Sequence, residues 1–123
     1  MVQQQPVTLV LGASENPGRY SFLAINRLLE AGVPVKAVGK RAGRVNGVEI
    51  QTGQPQLEQI DTVTLYLNPV HQQQYYAYIL SLNPRRIIFN PGTENNELVA
   101  LAKQHGIEPL YACTLVMLST RQY

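Results

Sequence analysis

The chain has 123 residues, of which 45% are apolar and 15% charged, and its formal net charge is +2 at pH 7. These values predict one folded domain, and so small a positive charge argues against a general nucleic-acid binder. The single cysteine excludes an intrachain disulfide, and neither a signal peptide nor an apolar run of about 20 residues is evident, so we expect a cytoplasmic protein outside the membrane.

The first stretch with a functional pattern is VTLVLGASENPGRYS, residues 7–21. An apolar run over residues 7–11 predicts a strand, Gly12 predicts a turn, and an amphipathic helix is predicted from Tyr20 onward. Such a turn points backbone N–H groups and the positive end of the helix dipole at an anion. Ser14 stands where the dinucleotide fingerprint has its second glycine, so its hydroxyl either donates to a phosphate or only caps the helix.

The second strand, predicted over residues 33–38, completes a β-α-β unit, because Gly32 and Pro34 end the helix before it. A site for NAD needs an Asp or Glu after this strand to accept a hydrogen bond from the ribose 2′-hydroxyl. This chain has Gly39, Lys40 and Arg41 there. The two cations favour a ligand with an additional phosphate on its ribose, as in NADP or coenzyme A, whereas a solvated surface loop is the plainer alternative.

The remaining elements continue the alternation of strands and helices. We predict a loop with one short strand over residues 48–51 and a helical turn over 56–59, strands over 62–67, 86–90 and 107–112, and helices over 70–82 and from the turn Pro91-Gly92-Thr93 onward. Residues 113–118 fit a strand or a short helix. Together these elements predict a single α/β domain over residues 1–123, with a doubly wound, mostly parallel sheet of five or six strands and helices on both faces.

Residues for catalysis do not stand out in this sequence. His71 and His105 are distant from each other and, with one cysteine, give no metal-ligand spacing. Cys113, near the last strand end, is either a nucleophile or a small buried apolar side chain. We therefore predict no catalytic residue and no metal site.

With these strand ends, the sequence resembles the small stand-alone CoA-binding domain proteins, relatives of the N-terminal CoA-binding domain of the succinyl-CoA synthetase α subunit. The stretches that carry the resemblance cover nearly the whole chain: they are residues 7–21, VTLYLNPVHQQQYY, RIIFNPGTEN and ACTLVMLSTRQY. The resemblance implies a three-layer Rossmann-like fold that binds CoA or acyl-CoA through its ADP moiety. The sequence has no counterpart of the synthetase's second domain with its phosphorylated histidine, so synthetase chemistry is not implied.

The resemblance also implies a set of binding residues. The residues implied for the pyrophosphate lie in and after the first turn and are Gly12, Ala13, Ser14, Pro17, Arg19, Tyr20 and Ser21. Those implied for the ribose phosphate follow the second strand and are Gly39, Lys40 and Arg41. The others line the pocket at the later strand ends and are Asn68, Pro69, Asn90, Pro91, Gly92 and Cys113. Cys113 falls near the synthetase's Gly-Pro-Asn-Cys-Pro-Gly loop, of which only the cysteine is kept.

Three functions fit this sequence. The first is a CoA-binding or regulatory module without catalytic activity. The second is an NADP-dependent oxidoreductase, for which the basic loop is also suited. In the third, Cys113 pairs with the thiol of bound CoA. The apolar C-terminal segment also allows a homodimer.

Overall fold

The computed structural model describes residues 6–123, which form one seven-stranded sheet with helices on both faces. The strands are β1 (Val7–Ala13), β2 (Val35–Gly39), β3 (Gly43–Val45), β4 (Val48–Gln51), β5 (Ile60–Leu65), β6 (Arg86–Phe89) and β7 (Glu108–Tyr111). Their order in the sheet is β3-β4-β2-β1-β5-β6-β7, and β3 with β4 is the antiparallel pair. The α/β fold with a mostly parallel sheet is therefore confirmed.

The helices follow the strands in the alternation that the sequence predicts. They are α1 (Tyr20–Glu30), α2 (Pro69–Gln72), α3 (Tyr76–Leu82), α4 (Asn96–Gln104) and α5 (Thr114–Ser119), with a 3₁₀ turn at Gln73–Tyr75 between α2 and α3. Residues 113–118, which fit either a strand or a helix, are thus mostly helical. No helix within residues 6–123 is long and apolar enough to cross a membrane.

Each face of the sheet has its own hydrophobic core. The alternation of side chains along β1 sends Leu9 and Leu11 to one face and Val10 to the other, and all three are fully buried. The first face packs against α3 and α4, whereas the second packs against α1 and α5. Because both faces are covered, the central strands are apolar throughout, which is why the sequence shows continuous apolar runs there.

The sheet has seven strands, so the prediction of five or six is wrong. The additional strand is β3, which pairs with β4 in a hairpin. Asn46 and Gly47 form its turn with φ values of +47° and +86°. Asn-Gly is the pair that two-residue hairpin turns favour, because both positions need a positive φ. The Asn-Gly signal is present in the sequence, within the polar stretch for which we predict a loop with one short strand.

Three helix predictions also need correction. Residues 70–82 do not form one helix, because the 3₁₀ turn separates α2 from α3. The helical turn expected over residues 56–59 is absent, and Gln59 has a positive φ of 61°. Helix α4 begins later than the Pro91-Gly92-Thr93 turn, because the side chain of Asn95 accepts hydrogen bonds from the N–H groups of Glu97 and Leu98.

Candidate ligand-binding site at the carboxyl edge of the sheet

The carboxyl ends of β1 and β5 meet where the strand order reverses. The chain leaves β1 through α1 to β2 on one side, while β5 pairs with the other side of β1. In open parallel sheets this reversal leaves a crevice between the loops that follow the two strands, and ligands bind in it. The loops here are residues 14–19 and residues 66–68.

Gly12 brings the two backbones into contact at the strand ends from which these loops begin. Its φ is +98°, and a Cβ atom built on it would lie 2.8 Å from the carbonyl carbon of Tyr66. The N–H group of Tyr66 donates to the carbonyl oxygen of Leu11 over 2.8 Å. Glycine is therefore required by the close approach of β5 as well as by the backbone conformation.

The loop after β1 is closed by its own side chains. Ser14 Oγ accepts a hydrogen bond from the N–H of Asn16 at 3.0 Å, and Asn16 Oδ1 accepts one from the N–H of Gly18 at 2.9 Å. These short turns use an acceptor lone pair of Ser14, so its O–H remains able to donate to a ligand. Ser14 thus forms part of a tight turn, but it does not cap α1, whose N-cap residue is Arg19.

Helix α1 begins at this loop without a capping side chain. Its N-cap residue is Arg19, and its first turn contains no acidic residue. The first N–H groups of the helix and the positive end of its dipole are therefore not neutralised by a side chain of the helix start. Pro17, Arg19 and Tyr20 are exposed at this end, whereas Ser21 is buried. An anion is the natural complement of this arrangement.

Lys40 and Arg41 extend from the strand beside β1. Gly39 pairs with Ala13, and a Cβ atom on Gly39 would overlap the carbonyl oxygen of Ala13. Both cations are exposed, and neither has a carboxylate within 4.0 Å among residues 6–123. The close contact between the two strand ends therefore holds an unpaired basic loop beside the loop after β1.

Glu15 is a residue of this edge that the sequence analysis missed. Its Oε2 accepts a hydrogen bond from the backbone N–H of Arg44 at 2.9 Å, and its carboxyl group covers Gly43, where a Cβ atom would overlap it. This contact joins the loop after β1 to the additional strand β3. No sequence signal links positions 29 residues apart, so only the folded chain reveals the contact.

Asn68 and Gln72 organise the loop after β5. Asn68 Oδ1 accepts from the N–H of His71 at 3.0 Å and so caps the short helix that Pro69 begins. Gln72 is fully buried, and its Nε2 donates to the carbonyl oxygens of Leu67 and Thr93 at 2.8 Å each. Gln72 thereby ties this loop to the one that follows β6.

Asn90 lies at the end of β6 with its side chain in a buried network. Its Nδ2 donates to Thr64 Oγ1 at 2.6 Å and to the carbonyl oxygen of Leu65 at 2.8 Å, and its Oδ1 accepts from the N–H of Thr114 at 2.8 Å. The residue is only 2% exposed. Its amide thus fastens β5, β6 and the start of α5 together, while the exposed neighbours Pro91 and Gly92 face solvent.

Thr114→Val is expected to lower the free energy of unfolding by about 1 kcal/mol, because it removes the buried hydrogen bond of 2.8 Å between the hydroxyls of Thr114 and Thr64. Thr64 keeps its bond from Asn90, so no acceptor is orphaned. Urea unfolding measures the change, with Thr120→Val at an exposed hydroxyl as the matched control. Equal stabilities of the two variants would contradict the importance of this network.

Cys113 and Tyr66 complete the strand ends on the α5 side. Cys113 is half-buried and stands at the N-cap position of α5. The hydroxyl of Tyr66 is buried and has no hydrogen-bond partner within residues 6–123, since the nearby hydroxyls of Thr64 and Thr114 bond each other. Burial raises the pKa of Tyr66 to about 12, so this phenol stays protonated at neutral pH and cannot act there as a base.

Tyr66→Phe should leave the stability at pH 7 unchanged or raise it by about 1 kcal/mol, because the hydroxyl that it removes is buried without a partner. Above pH 10 the unfolded chain releases this phenolic proton whereas the folded chain holds it to about pH 12, so wild-type stability falls through this interval. The Tyr66→Phe variant should lose less stability than the wild type over the same pH interval. Urea unfolding at neutral and strongly alkaline pH tests both statements, and a variant less stable at pH 7 would show that the hydroxyl is bonded.

Two other sequence-derived expectations can be located in the structure. No group of three His, Cys, Asp or Glu residues within residues 6–123 could hold a metal ion. The apolar surface that the C-terminal segment offers for a homodimer includes Val116, which is 55% exposed. With Leu23 of α1 it lines a shallow cleft of about 250 Å³. Self-association through this cleft stays a prediction.

The chain is similar in sequence and structure to several known proteins. Residues 7–119 match the family model described as CoA binding domain. A crystal structure of an uncharacterized protein is 48% identical, with a TM-score of 0.94 over 98% of this chain and 100% of that chain. No curated protein matches the sequence.

More distant structures share the fold alone. A hypothetical protein from Pyrococcus horikoshii OT3 is 22% identical, with a TM-score of 0.83 over 94% of this chain and 82% of that chain. The dinucleotide-forming acetyl-coenzyme A synthetase 1 of Ca. Korarchaeum cryptofilum, in complex with phosphate and ADP, is 17% identical, with a TM-score of 0.72 over 85% of this chain and 25% of that chain. The Rossmann-like α/β architecture is therefore shared with a segment of a much larger enzyme.

Proposed function

The chain belongs to the CoA-binding domain family, and we propose that it binds coenzyme A or an acyl-CoA through the ADP moiety at the carboxyl edge of the sheet. The observation that carries this proposal is the pairing of two features at adjacent strand ends. One is the start of α1 after β1, which no side-chain hydrogen bond caps. The other is the exposed pair Lys40 and Arg41 after β2, which have no carboxylate within 4.0 Å in the described part of the chain. Together they provide places for two separate phosphate groups of one ligand.

The loop after β1 is the proposed phosphate-binding loop and takes the pyrophosphate. Gly12 and Ala13 allow the ligand to approach the backbone closely, and the hydroxyl of Ser14 and the first N–H groups of α1 donate to its oxygens. Arg19 and Tyr20, both exposed beside the helix start, add a cation and an aromatic ring. The neighbouring Pro17 lies exposed in the same loop, and Ser21 is buried in the first turn of α1.

The basic loop after β2 takes the phosphate on the ribose. In dinucleotide sites that bind NAD, an acidic residue at this strand end accepts a hydrogen bond from the 2′-hydroxyl, and a phosphate there would be repelled. Lys40 and Arg41 reverse that preference. Coenzyme A carries its additional phosphate on the 3′-oxygen of the adenosine ribose, so the pair provides the discrimination between CoA and its dephosphorylated form.

The role of the remaining strand ends is to form and support the pocket wall. Asn68, Pro69, Pro91 and Gly92 flank the crevice, and Cys113 lies at the far end, where the pantetheine arm is expected. Asn90 acts here as a positioning residue, because its amide is bonded to β5 and α5. We assign a binding or regulatory role, because the groups that these strand ends supply are phosphate-binding donors, cations and pocket walls.

Isothermal titration calorimetry of the purified chain with CoA, dephospho-CoA and NADPH tests the proposal. CoA should bind more tightly than dephospho-CoA by about tenfold or more, because each charge-assisted hydrogen bond to the 3′-phosphate contributes roughly 1.5–3 kcal/mol. NADPH, whose additional phosphate is on the 2′-oxygen, should bind more weakly than CoA. Tighter binding of NADPH would favour the oxidoreductase alternative, for which the same basic loop is suited.

A further inference from the structure

The basic loop after β2 contacts the end of β1 and the loop after it at two places. A Cβ atom on Gly39 would overlap the carbonyl oxygen of Ala13. Four residues later, a Cβ atom on Gly43 would overlap the carboxyl group of Glu15. Residues 40–42, which include both cations of the loop, lie between these two contacts. The carboxylate of Glu15 is therefore held at the boundary between the proposed pyrophosphate loop and the basic loop.

One oxygen of this carboxylate is used within the protein. Its Oε2 accepts a hydrogen bond from the backbone N–H of Arg44 at 2.9 Å. Its Oε1 accepts none from the described residues 6–123, and no lysine or arginine nitrogen in that range lies within 4.0 Å of either oxygen. The Glu15 side chain is exposed. It thus presents a negatively charged acceptor that the neighbouring cations do not pair.

Gly43 provides the space in which the carboxylate lies. A Cβ atom there would be 2.5 Å from Glu15 Oε1 and 2.6 Å from its Cγ. Gly43 is not among the glycines with a positive φ, so its backbone conformation does not itself require glycine. The absence of a side chain at this position therefore serves the contact with Glu15.

A carboxylate at this boundary suits one part of a nucleotide and not another. An ionised carboxylate accepts hydrogen bonds and donates none, so it attracts a ribose hydroxyl and repels a phosphate. In NAD sites an acidic residue at the end of the second strand accepts from a ribose hydroxyl in this way. This chain has Lys40 and Arg41 at that strand end, and its carboxylate comes from the adjacent loop instead.

We propose that Glu15 accepts a hydrogen bond from the 2′-hydroxyl of the adenosine ribose and thereby selects nucleotides whose additional phosphate is on the 3′-oxygen. This inference rests on the proposed binding of CoA. In CoA the 3′-phosphate meets Lys40 and Arg41 while the free 2′-hydroxyl meets Glu15. A ligand of the NADP type has these two substituents exchanged, so its phosphate meets the carboxylate. The ribose cannot turn to avoid this repulsion, because the pyrophosphate fixes it from the 5′ side.

Calorimetry with adenosine 3′,5′-bisphosphate and adenosine 2′,5′-bisphosphate tests the inference, because the two isomers differ only in the position of one phosphate. The wild type should bind the 3′,5′ isomer more tightly by about tenfold or more, the effect of one carboxylate a few ångströms from a phosphate at a protein surface. Glu15→Gln keeps an acceptor for the N–H of Arg44 and loses the charge. It should reduce the ratio of the two affinities to about threefold or less, mainly by tightening the binding of the 2′,5′ isomer.

Two further variants separate the position of the carboxylate from its charge. Gly43→Ala displaces the Glu15 carboxyl group without changing the net charge, so it should also lower the ratio. Glu30→Gln removes one negative charge from an exposed residue at the far end of α1 and should leave the ratio unchanged.

Retention of the wild-type ratio by Glu15→Gln or by Gly43→Ala would overturn the inference, as would an equal reduction by Glu30→Gln. The same holds if the wild type binds the two isomers equally. None of these results would affect the proposed function as long as CoA binds. If the wild type bound neither isomer and not CoA, the proposed function itself would be wrong, and the role of Glu15 would fall with it.

Discussion

The double variant Lys40→Ala/Arg41→Ala should bind CoA about 100-fold more weakly than the wild type, while its affinity for dephospho-CoA changes by about threefold at most. Both side chains are exposed and have no acidic partner in the described part of the chain, so their removal orphans no protein group. The loss should therefore appear in binding and not in folding. Calorimetry with the two ligands measures it, and urea unfolding checks that stability is unchanged within about 0.5 kcal/mol.

The matched control is Arg27→Ala/Lys103→Ala. These two cations lie in the last turns of α1 and α4, away from the carboxyl edge, and the net charge changes by the same amount. If this control weakened CoA binding as much as the double variant, the effect would be one of overall charge. If the Lys40/Arg41 variant lost as much affinity for dephospho-CoA as for CoA, the 3′-phosphate could no longer be assigned to that loop.

Gly12→Ala is expected to lower the free energy of unfolding by about 3 kcal/mol and to abolish measurable CoA binding. One part of the loss, about 1–2 kcal/mol, arises from the positive φ of +98°. The other part, about 1–3 kcal/mol, arises because the new methyl group would lie 2.8 Å from the Tyr66 carbonyl carbon and must displace β5. Displacement of β5 changes the crevice itself, so binding is lost together with stability.

Gly47→Ala separates these two contributions. Gly47 has a similar φ of +86°, but a Cβ atom on it meets nothing within 4 Å. Gly47→Ala should therefore lower the free energy of unfolding only by the part that arises from the positive φ, and its affinity for CoA should equal that of the wild type. Urea unfolding and calorimetry of the two variants give the comparison, and equal destabilisation would show that the close approach of β1 and β5 is not important.

The sequence predicted much of this fold because the relevant signals are local. The apolar runs of the central strands and the glycines and prolines between elements identified the alternation of strands and helices, and hence the parallel sheet. The predictions that were wrong concern features that depend on contacts between residues distant in the sequence. The break between α2 and α3 accompanies contacts of Gln72 with carbonyl groups of Leu67 and Thr93, and the second of these is distant in sequence.

The sequence also indicated which residues follow each strand, and a parallel sheet brings such residues to one edge. It could not indicate which of them keep hydrogen-bonding groups free of other protein groups. Asn90 and Ser14 are both polar residues at strand ends, yet the amide of Asn90 is buried among three partners whereas the hydroxyl of Ser14 keeps a free donor. That difference depends on Thr64, Leu65 and Thr114, whose positions only the folded chain defines.

The opening stretch of residues 7–21 thus determined by itself that this protein has a strand, a glycine turn and a helix start suited to an anion, because these features depend on neighbouring residues. Lys40 and Arg41 added the prediction that the ligand carries a further phosphate. Only the tertiary structure decided that Gly12 lies against Tyr66, that Glu15 joins the loop to β3, and that the amide of Asn90 is buried in hydrogen bonds to β5 and α5. These contacts join distant parts of the chain, and packing rather than local preference fixes them.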